Sequence, residues 1–320
     1  NYPNKQKRLL AVEEGYNNSI AQKSDFQLKN NHRNYFNEAN QKYFDGDYYG
    51  AIEYYTLAIN LVTKSLELSE IGYGENKIKT KANAQRGLSL NNDFLVKYYV
   101  ARARTWFKLK NYDKAIDELE YLEENNLSST SISLLKGEIY YSKKNYIEAI
   151  DEFFNSSIWV DGAIDLMKES GTSRSPFDLY VTYPQALNFK THIDLYLAES
   201  YYYVNENDYQ KHLDKIQEES DYKVWRATAK ERSFNKLKEI IDFTENFYEN
   251  YPQKDENNND IDFIKERFGS IPMYYVYEYV KSFDMILEYL NFTGDIKSFE
   301  KYYNKIILFI DKNIQLINTN

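Results

Sequence analysis

The sequence contains no cysteine. That excludes disulfides, thiolate metal ligands and cysteine nucleophiles; it says nothing about compartment, because disulfides are optional in exported proteins. Histidine is nearly absent too, with three in 320 residues. His32, His192 and His212 are not spaced as a His-Glu-x-x-His zinc motif and read as surface or packing residues. There is no Gly-x-Ser-x-Gly elbow and no phosphate loop. Acidic pairs such as those in "YLEENN" and "IQEESD" read as solvated helix faces. No catalytic residue, cofactor or metal is therefore expected, and the chain reads as a non-enzyme. No apolar run approaches the 18 or so residues of a membrane span. Positive charge is the minority, 40 Lys and Arg against 49 Asp and Glu, for a net charge of −9 and a pI near 5.1. Phosphate backbones are bound mainly through Lys and Arg, so this balance argues against nucleic acid as a partner.

Helix breakers are few, with 11 Gly and 5 Pro, while Tyr reaches 33 and Phe 18. Such a composition suits an all-helical protein with large, partly wet aromatic contacts, and the excess of Lys, Asn, Tyr and Ile also fits an AT-rich genome. A short phrase recurs through the chain. "NYDKAIDELE" starts at Asn111, "NYIEAIDEFF" at Asn145, 34 residues later, and "DYYGAIEYYT" at Asp47. Each opens on Asp or Asn, residues that cap helices by accepting from free backbone N–H groups. Ala-Ile then follows (Ala51-Ile52, Ala115-Ile116, Ala149-Ile150), and Tyr55, Leu119 and Phe153 continue an apolar stripe at helical spacing. Twelve positions before each Ala-Ile stands a small residue, Ala39, Ala103 or Gly137, with Tyr43, Trp106 and Tyr140 three or four residues further on. The unit is helix, tight turn, helix, and such pairs bury their apolar faces by stacking.

Small, aromatic, Ala and aromatic residues at this spacing in a 34-residue period resemble the tetratricopeptide repeat (TPR). Matching repeats cover 32–65, 96–129 and 130–163. The Pro that usually follows the second helix is missing, and Leu122 and Ser156 stand where the first repeat has Ala58. Weaker echoes lie at Asp208-Tyr209, Leu213 and Ile216, and at Gly294-Asp295, Tyr303 and Ile306. The resemblance implies an all-α fold, a right-handed α-α superhelical solenoid of about five helix pairs, the C-terminal ones degenerate. The expected organisation is an N-terminal cap or partly disordered segment over 1–31, repeats over 32–163 with a long insert near 66–95, and degenerate helical repeats with a C-terminal cap over 164–320. The insert, with Gly72 and Gly74, reads as a loop or a helix extension. A connection is expected over 169–185, one long amphipathic helix over 222–250, marked by Val224, Phe234, Leu237, Ile241 and Phe247, and a solvated loop at "QKDENNND".

In TPR proteins the first helix of each repeat lines a concave groove. By that resemblance the groove carries Arg33, Phe36, Asn37, Asn40 and Phe44 from the first repeat. Lys97, Val100, Arg104, Phe107 and Lys108 come from the second, and Leu134, Leu135, Glu138 and Tyr141 from the third. The partner-binding residues singled out are Arg33, Phe36, Asn40, Phe44, Lys97, Arg104, Phe107 and Tyr141, aromatic and Arg side chains being the usual interface anchors. The carboxylate clamp of chaperone-binding TPR proteins is missing. Asn40 matches it, but Phe36, Ala101, Ser131 and Leu135 occupy its other four positions. The expected function is a monomeric scaffold or adaptor that binds a protein or peptide partner. The alternatives are a peptide-sensing signal receptor and an accessory subunit of an envelope enzyme or transport complex. The resemblance, with a sequence that starts at Asn1, inclines the setting to a bacterial cell-envelope lipoprotein with a lipid anchor upstream, the alternative being cytoplasmic.

Overall fold

The computed structural model describes residues 31–71, 79–127, 129–170, 183–219, 227–250 and 271–318. The expectations for the first 30 residues, for most of the 169–185 connection and for the "QKDENNND" loop lie outside them, as does Val224. Every described element is a helix, with no strand among the described residues. In chain order they are α1 (31–44), α2 (Tyr48–Ile71), α3 (Lys79–Lys108), α4 (Tyr112–Glu124), α5 (Thr130–Ser142), α6 (Tyr146–Ser170), α7 (Tyr183–Tyr203), α8 (Glu206–Glu219), α9 (Ala229–Asn250), α10 (Ile271–Thr293) and α11 (Ile296–Asn318). Much of the 66–95 insert is helix extension, since α2 runs on to Ile71 and α3 starts at Lys79. The described residues through Leu135 form one compact unit and those from Lys136 a second, a division inside α5.

One turn construction recurs. At the end of α3, Lys110 takes a left-handed φ of 60°. Its N–H donates to Phe107 O at 2.8 Å, and the next N–H, of Asn111, reaches back to Trp106 O at 2.9 Å. This pair of bonds is a Schellman closure, which satisfies carbonyls the helix end would leave orphaned. Asn111 then turns its side chain the other way and accepts from Lys114 N–H, capping α4. Gly46 and Asp47 repeat the arrangement between α1 and α2, with Gly50 N–H on Asp47 Oδ1 at 2.9 Å. Gly294 and Asp295 repeat it between α10 and α11, with Ser298 N–H on Asp295 Oδ1 at 3.1 Å. Lys144 and Asn145 make the same closure between α5 and α6. One Asp or Asn thus ends one helix and begins the next.

In the first unit the core joins Phe36 and Ala39 of α1, Ala51, Tyr55, Ala58, Ile59 and Val62 of α2, and Leu95 and Tyr98 of α3. Phe36 stacks on Tyr98 at 4.4 Å between ring centres. His32 belongs to this core as well, 2% exposed and hydrogen-bonded through Nδ1 to the Tyr98 hydroxyl at 2.7 Å. Ala115, Leu119 and Leu122 are the buried residues of α4, which packs on α3.

In the second unit α6 packs on α7, α7 on α9 and α10, α9 on α10, and α10 on α11. Leu195 and Ala198 meet Leu237, Ile240 and Ile241 of α9, Phe283 and Ile286 of α10, and Tyr302 and Ile306 of α11. Ala149 is fully buried, as are Ala51 and Ala115. At Gly137 an added Cβ would stand 2.6 Å from the Phe153 ring, so only glycine fits. Three expectations need correction. α8 is capped by Asn205, whose Oδ1 accepts from Asn207 and Asp208 N–H at 3.0 and 3.3 Å, so Asp208 lies inside the first turn. In α11 the core residue is Tyr302, while Tyr303 is 49% exposed. The helix expected over 222–250 starts at Ala229, where Thr228 and Glu231 bond reciprocally as a capping box.

Candidate functional site

The groove residues expected in the first unit meet different fates. Phe44 projects outward, 81% exposed, edge-on to Tyr43. Arg33 and Lys97 are exposed and lie over aromatic rings: the Arg33 guanidinium 5.0 Å from the centre of Phe94, and the Lys97 ammonium 4.9 Å from that of Phe36. Arg104 and Phe107 are half-buried, Phe107 tilted against Tyr112. Phe36 does not stand on the surface at all: at 8% exposure it is a core residue. Val100, Leu134 and Leu135 are buried likewise, as is Glu138 in the second unit. Asn40 does not present a free amide oxygen, since Oδ1 accepts the Tyr55 hydroxyl at 2.7 Å. Of the singled-out residues of this unit, Arg33, Lys97 and Phe44 are the exposed ones. An open cleft of about 410 Å³ also lies in this unit, lined by Tyr99, Trp106 and Tyr121 with Arg102, Lys114 and Glu118. There Arg102 bridges Glu118 at 2.7 Å and donates to Thr56 Oγ1 at 2.8 Å, a built-in ion pair across α2, α3 and α4.

The second unit gathers polar groups of which the sequence singled out only Glu138 and Tyr141, as groove residues of the third repeat. The half-buried face of α7 carries His192, Tyr196 and Glu199 at helical spacing. On one side, α5 presents Glu138 and Tyr141. On the other, α10 presents Glu278 and Lys281. His192 sits between two carboxylates, Nε2 at 3.8 Å from Glu138 Oε1 and Nδ1 at 3.5 Å from Glu278 Oε1. Tyr196 meets its ring edge-on at 4.9 Å and Tyr141 in turn meets Tyr196 at 5.2 Å. Burial works against protonation of His192, but the hydrogen-bonding carboxylates of Glu138 and Glu278 outweigh it and push the imidazole up to about 9. His192 is an imidazolium at neutral pH. Burial raises the Glu199 carboxyl, an effect the Lys281 charge and the Tyr141 hydroxyl partly offset. Burial and the neighbouring Glu199 together raise Tyr141.

Glu138 and Glu278 are 8% and 6% exposed, and Oε2 of Glu278 is buried without a hydrogen-bond partner. A nearby acid behaves otherwise. Asp194, 2% exposed, receives Lys190 at 3.2 Å, Lys236 at 3.3 Å and the Ser157 hydroxyl at 3.3 Å. The sequence does hold a trace of the α10 acid: Glu278 interrupts the aromatic run "YYVYEYV" at a phase where the helix faces inward. Neither Glu278 nor His192 belongs to the repeat, so period-based reading passes over both. Among the described residues no cluster of three or more His, Asp or Glu is arranged to hold a metal ion, and no helix is long and apolar enough to cross a membrane.

No protein-family model matches the chain, and no curated protein matches it.

Proposed function

We propose that the chain is a non-enzymatic helical-repeat scaffold that binds a protein or peptide partner, its helix pairs stacked as a TPR-like right-handed solenoid. The recurrent turn carries the reading: a left-handed residue, a shared Asp or Asn cap, and then, at Ala51, Ala115 and Ala149, a buried alanine. A pair built this way buries its apolar faces against its neighbours, and arrays of such pairs expose extended surfaces suited to partners. Phe44, at 81% exposure, and the exposed Arg33 and Lys97 are aromatic and cationic side chains of the kind such surfaces use as anchors.

Two measurements test this. A solenoid of 320 residues should scatter X-rays with a radius of gyration well above the roughly 20 Å of a compact globule of that length; a value near 20 Å would overturn the architecture. For binding, a partner captured on the immobilised full chain is identified, and its affinity is then measured directly by calorimetry. Phe44→Ala and Arg33→Glu, both at exposed positions, should each weaken it about tenfold or more without altering the melting temperature. Parent-like affinity in both variants would remove this surface from the site.

A further inference from the structure

The cleft of about 410 Å³ between α2, α3 and α4 lies wholly within the first unit, and its size is that of a small-molecule site. Its floor is fixed. The Arg102 guanidinium donates to Thr56 Oγ1 and to Glu118 and lies over the Tyr99 ring at 5.0 Å, so its charge is cancelled by Glu118. Tyr121 stacks on Tyr99 at 5.0 Å between ring centres and is 45% exposed, which leaves aromatic surface open to the cleft. Trp106 lines it too and is half-buried.

Two further charges line the cleft. Lys114 and Asp117 are both exposed, and among the described residues neither has an ion pair. They stand three apart on α4, a spacing at which opposite charges are neighbours. Elsewhere in the chain such pairs close: Lys236 reaches Glu239 at 2.8 Å and Lys281 reaches Asp284 at 3.6 Å, in the same order and at the same spacing. Lys114 instead holds its ammonium 4.4 Å from the centre of the Trp106 ring. The cleft therefore keeps one positive and one negative group adjacent but unjoined, beside open aromatic surface. Its formal charges balance, Arg102 and Lys114 against Asp117 and Glu118. A ligand of net charge gains no steering from such a site. A ligand that carries both charges can satisfy both groups.

We infer that this cleft binds a free zwitterionic amino acid with an aromatic side chain. Lys114 takes the α-carboxylate and Asp117 the α-ammonium, while the ligand ring lies against Tyr121 and beside Trp106. The two ligand charges straddle a single carbon, as two partners on successive turns of one helix require. Phe44, Arg33 and Lys97 do not line the cleft, so the site goes beyond the partner-binding reading and either can fail alone.

The test uses the full chain and ligand titrations followed by NMR. L-phenylalanine carries the ring and both charges. Phenethylamine lacks the carboxylate, 3-phenylpropionate the ammonium, acetyl-phenylalanine-amide both charges, and L-alanine the ring. Phenylalanine should bind about tenfold tighter than each of the others, the scale of one lost contact to a charged group. Lys114→Gln should weaken phenylalanine about tenfold and leave phenethylamine, which has no carboxylate to lose, unchanged. Asp117→Asn should weaken phenylalanine equally and leave 3-phenylpropionate unchanged. Glu120→Gln, at an exposed position of α4 that does not line the cleft, should alter none of these affinities. Equal binding of phenylalanine and its acetyl amide would overturn the proposal and turn the cleft over to aromatic side chains of peptides. So would losses in Lys114→Gln and Asp117→Asn no larger than in Glu120→Gln, or no phenylalanine binding at about 10 mM, weaker than the millimolar end of specific affinities.

Discussion

Giving Gly137 a methyl group sets two known effects against each other. Alanine is the better helix former by roughly 0.8–1.0 kcal/mol, so the change should stabilise an ordinary helix interior. Here the new Cβ would fall 2.6 Å from Cε1, 2.7 Å from Cδ1 and 3.0 Å from Cζ of Phe153. Phe153 has nowhere to go: it is fully buried and stacked on Tyr196, 5.2 Å away with only 14° between the ring planes. Overpacking of this kind costs roughly 1–3 kcal/mol. The net for Gly137→Ala is a loss of about 1 kcal/mol, or about 2–4 °C in the melting temperature of a unit this size. In a Phe153→Leu background the ring is gone, the clash disappears and only the propensity gain remains. The same substitution should then raise stability by up to about 1 kcal/mol. Urea titrations followed by far-UV circular dichroism on the four proteins of this double-mutant cycle give both numbers. If Gly137→Ala stabilises the parent as much as it does the Phe153→Leu protein, the two residues do not touch, and the packing of α5 on α6 described above is wrong.

Lys110→Gly and Lys144→Gly should each raise the urea midpoint by the equivalent of about 1 kcal/mol, because lysine pays a Cβ penalty at φ values of 60° and 63° that glycine does not; a drop in midpoint would mean that the lysine side chains contribute more than the strain costs. Ala115→Leu should cost roughly 1–3 kcal/mol by overpacking a fully buried crossing, and an unchanged melting temperature would show that the crossing is loose. Stability should fall as pH rises from 6.5 to about 9, because over that window folded His192 keeps a proton that the unfolded chain releases. The contribution is complete below pH 6.5 and gone above 9. Discounted for the partial exposure of the ring, it amounts to about 1–2 kcal/mol. Urea midpoints at pH 6, 7.5 and 9.5 measure it, and His192→Gln should flatten the slope.

The helix pairs were legible in the sequence because their determinants are local. Asp47, Asn111 and Asn145 announce the turns, and Ala51, Ala115 and Ala149 announce the crossings, all within a few residues of each other. Register failed where a cap had a near neighbour able to do the same work, as with Asn205 and Asp208. The surface was harder to read. The TPR resemblance placed Phe36 on the groove face, but the α1–α3 contact sets its ring on Tyr98, and no pattern within α1 reports where α3 will lie. The His192 cluster was least accessible, since Glu138, His192 and Glu278 come from three helices and up to 140 positions apart. Their meaning arises only from proximity and burial.

The turns in which one Asp or Asn serves two helices also bear on how the protein is made. Asp47 joins α1 to α2, Asn111 joins α3 to α4 and Asn145 joins α5 to α6, so each of these pairs is linked through a turn of three residues. Low sequence separation means little loop entropy to overcome and fast formation. A growing chain can settle its first pair while the second is still being synthesised, and each later pair adds to a surface already in place. An added residue between Lys110 and Asn111 would part the two duties of that asparagine and slow the closure of α3 on α4.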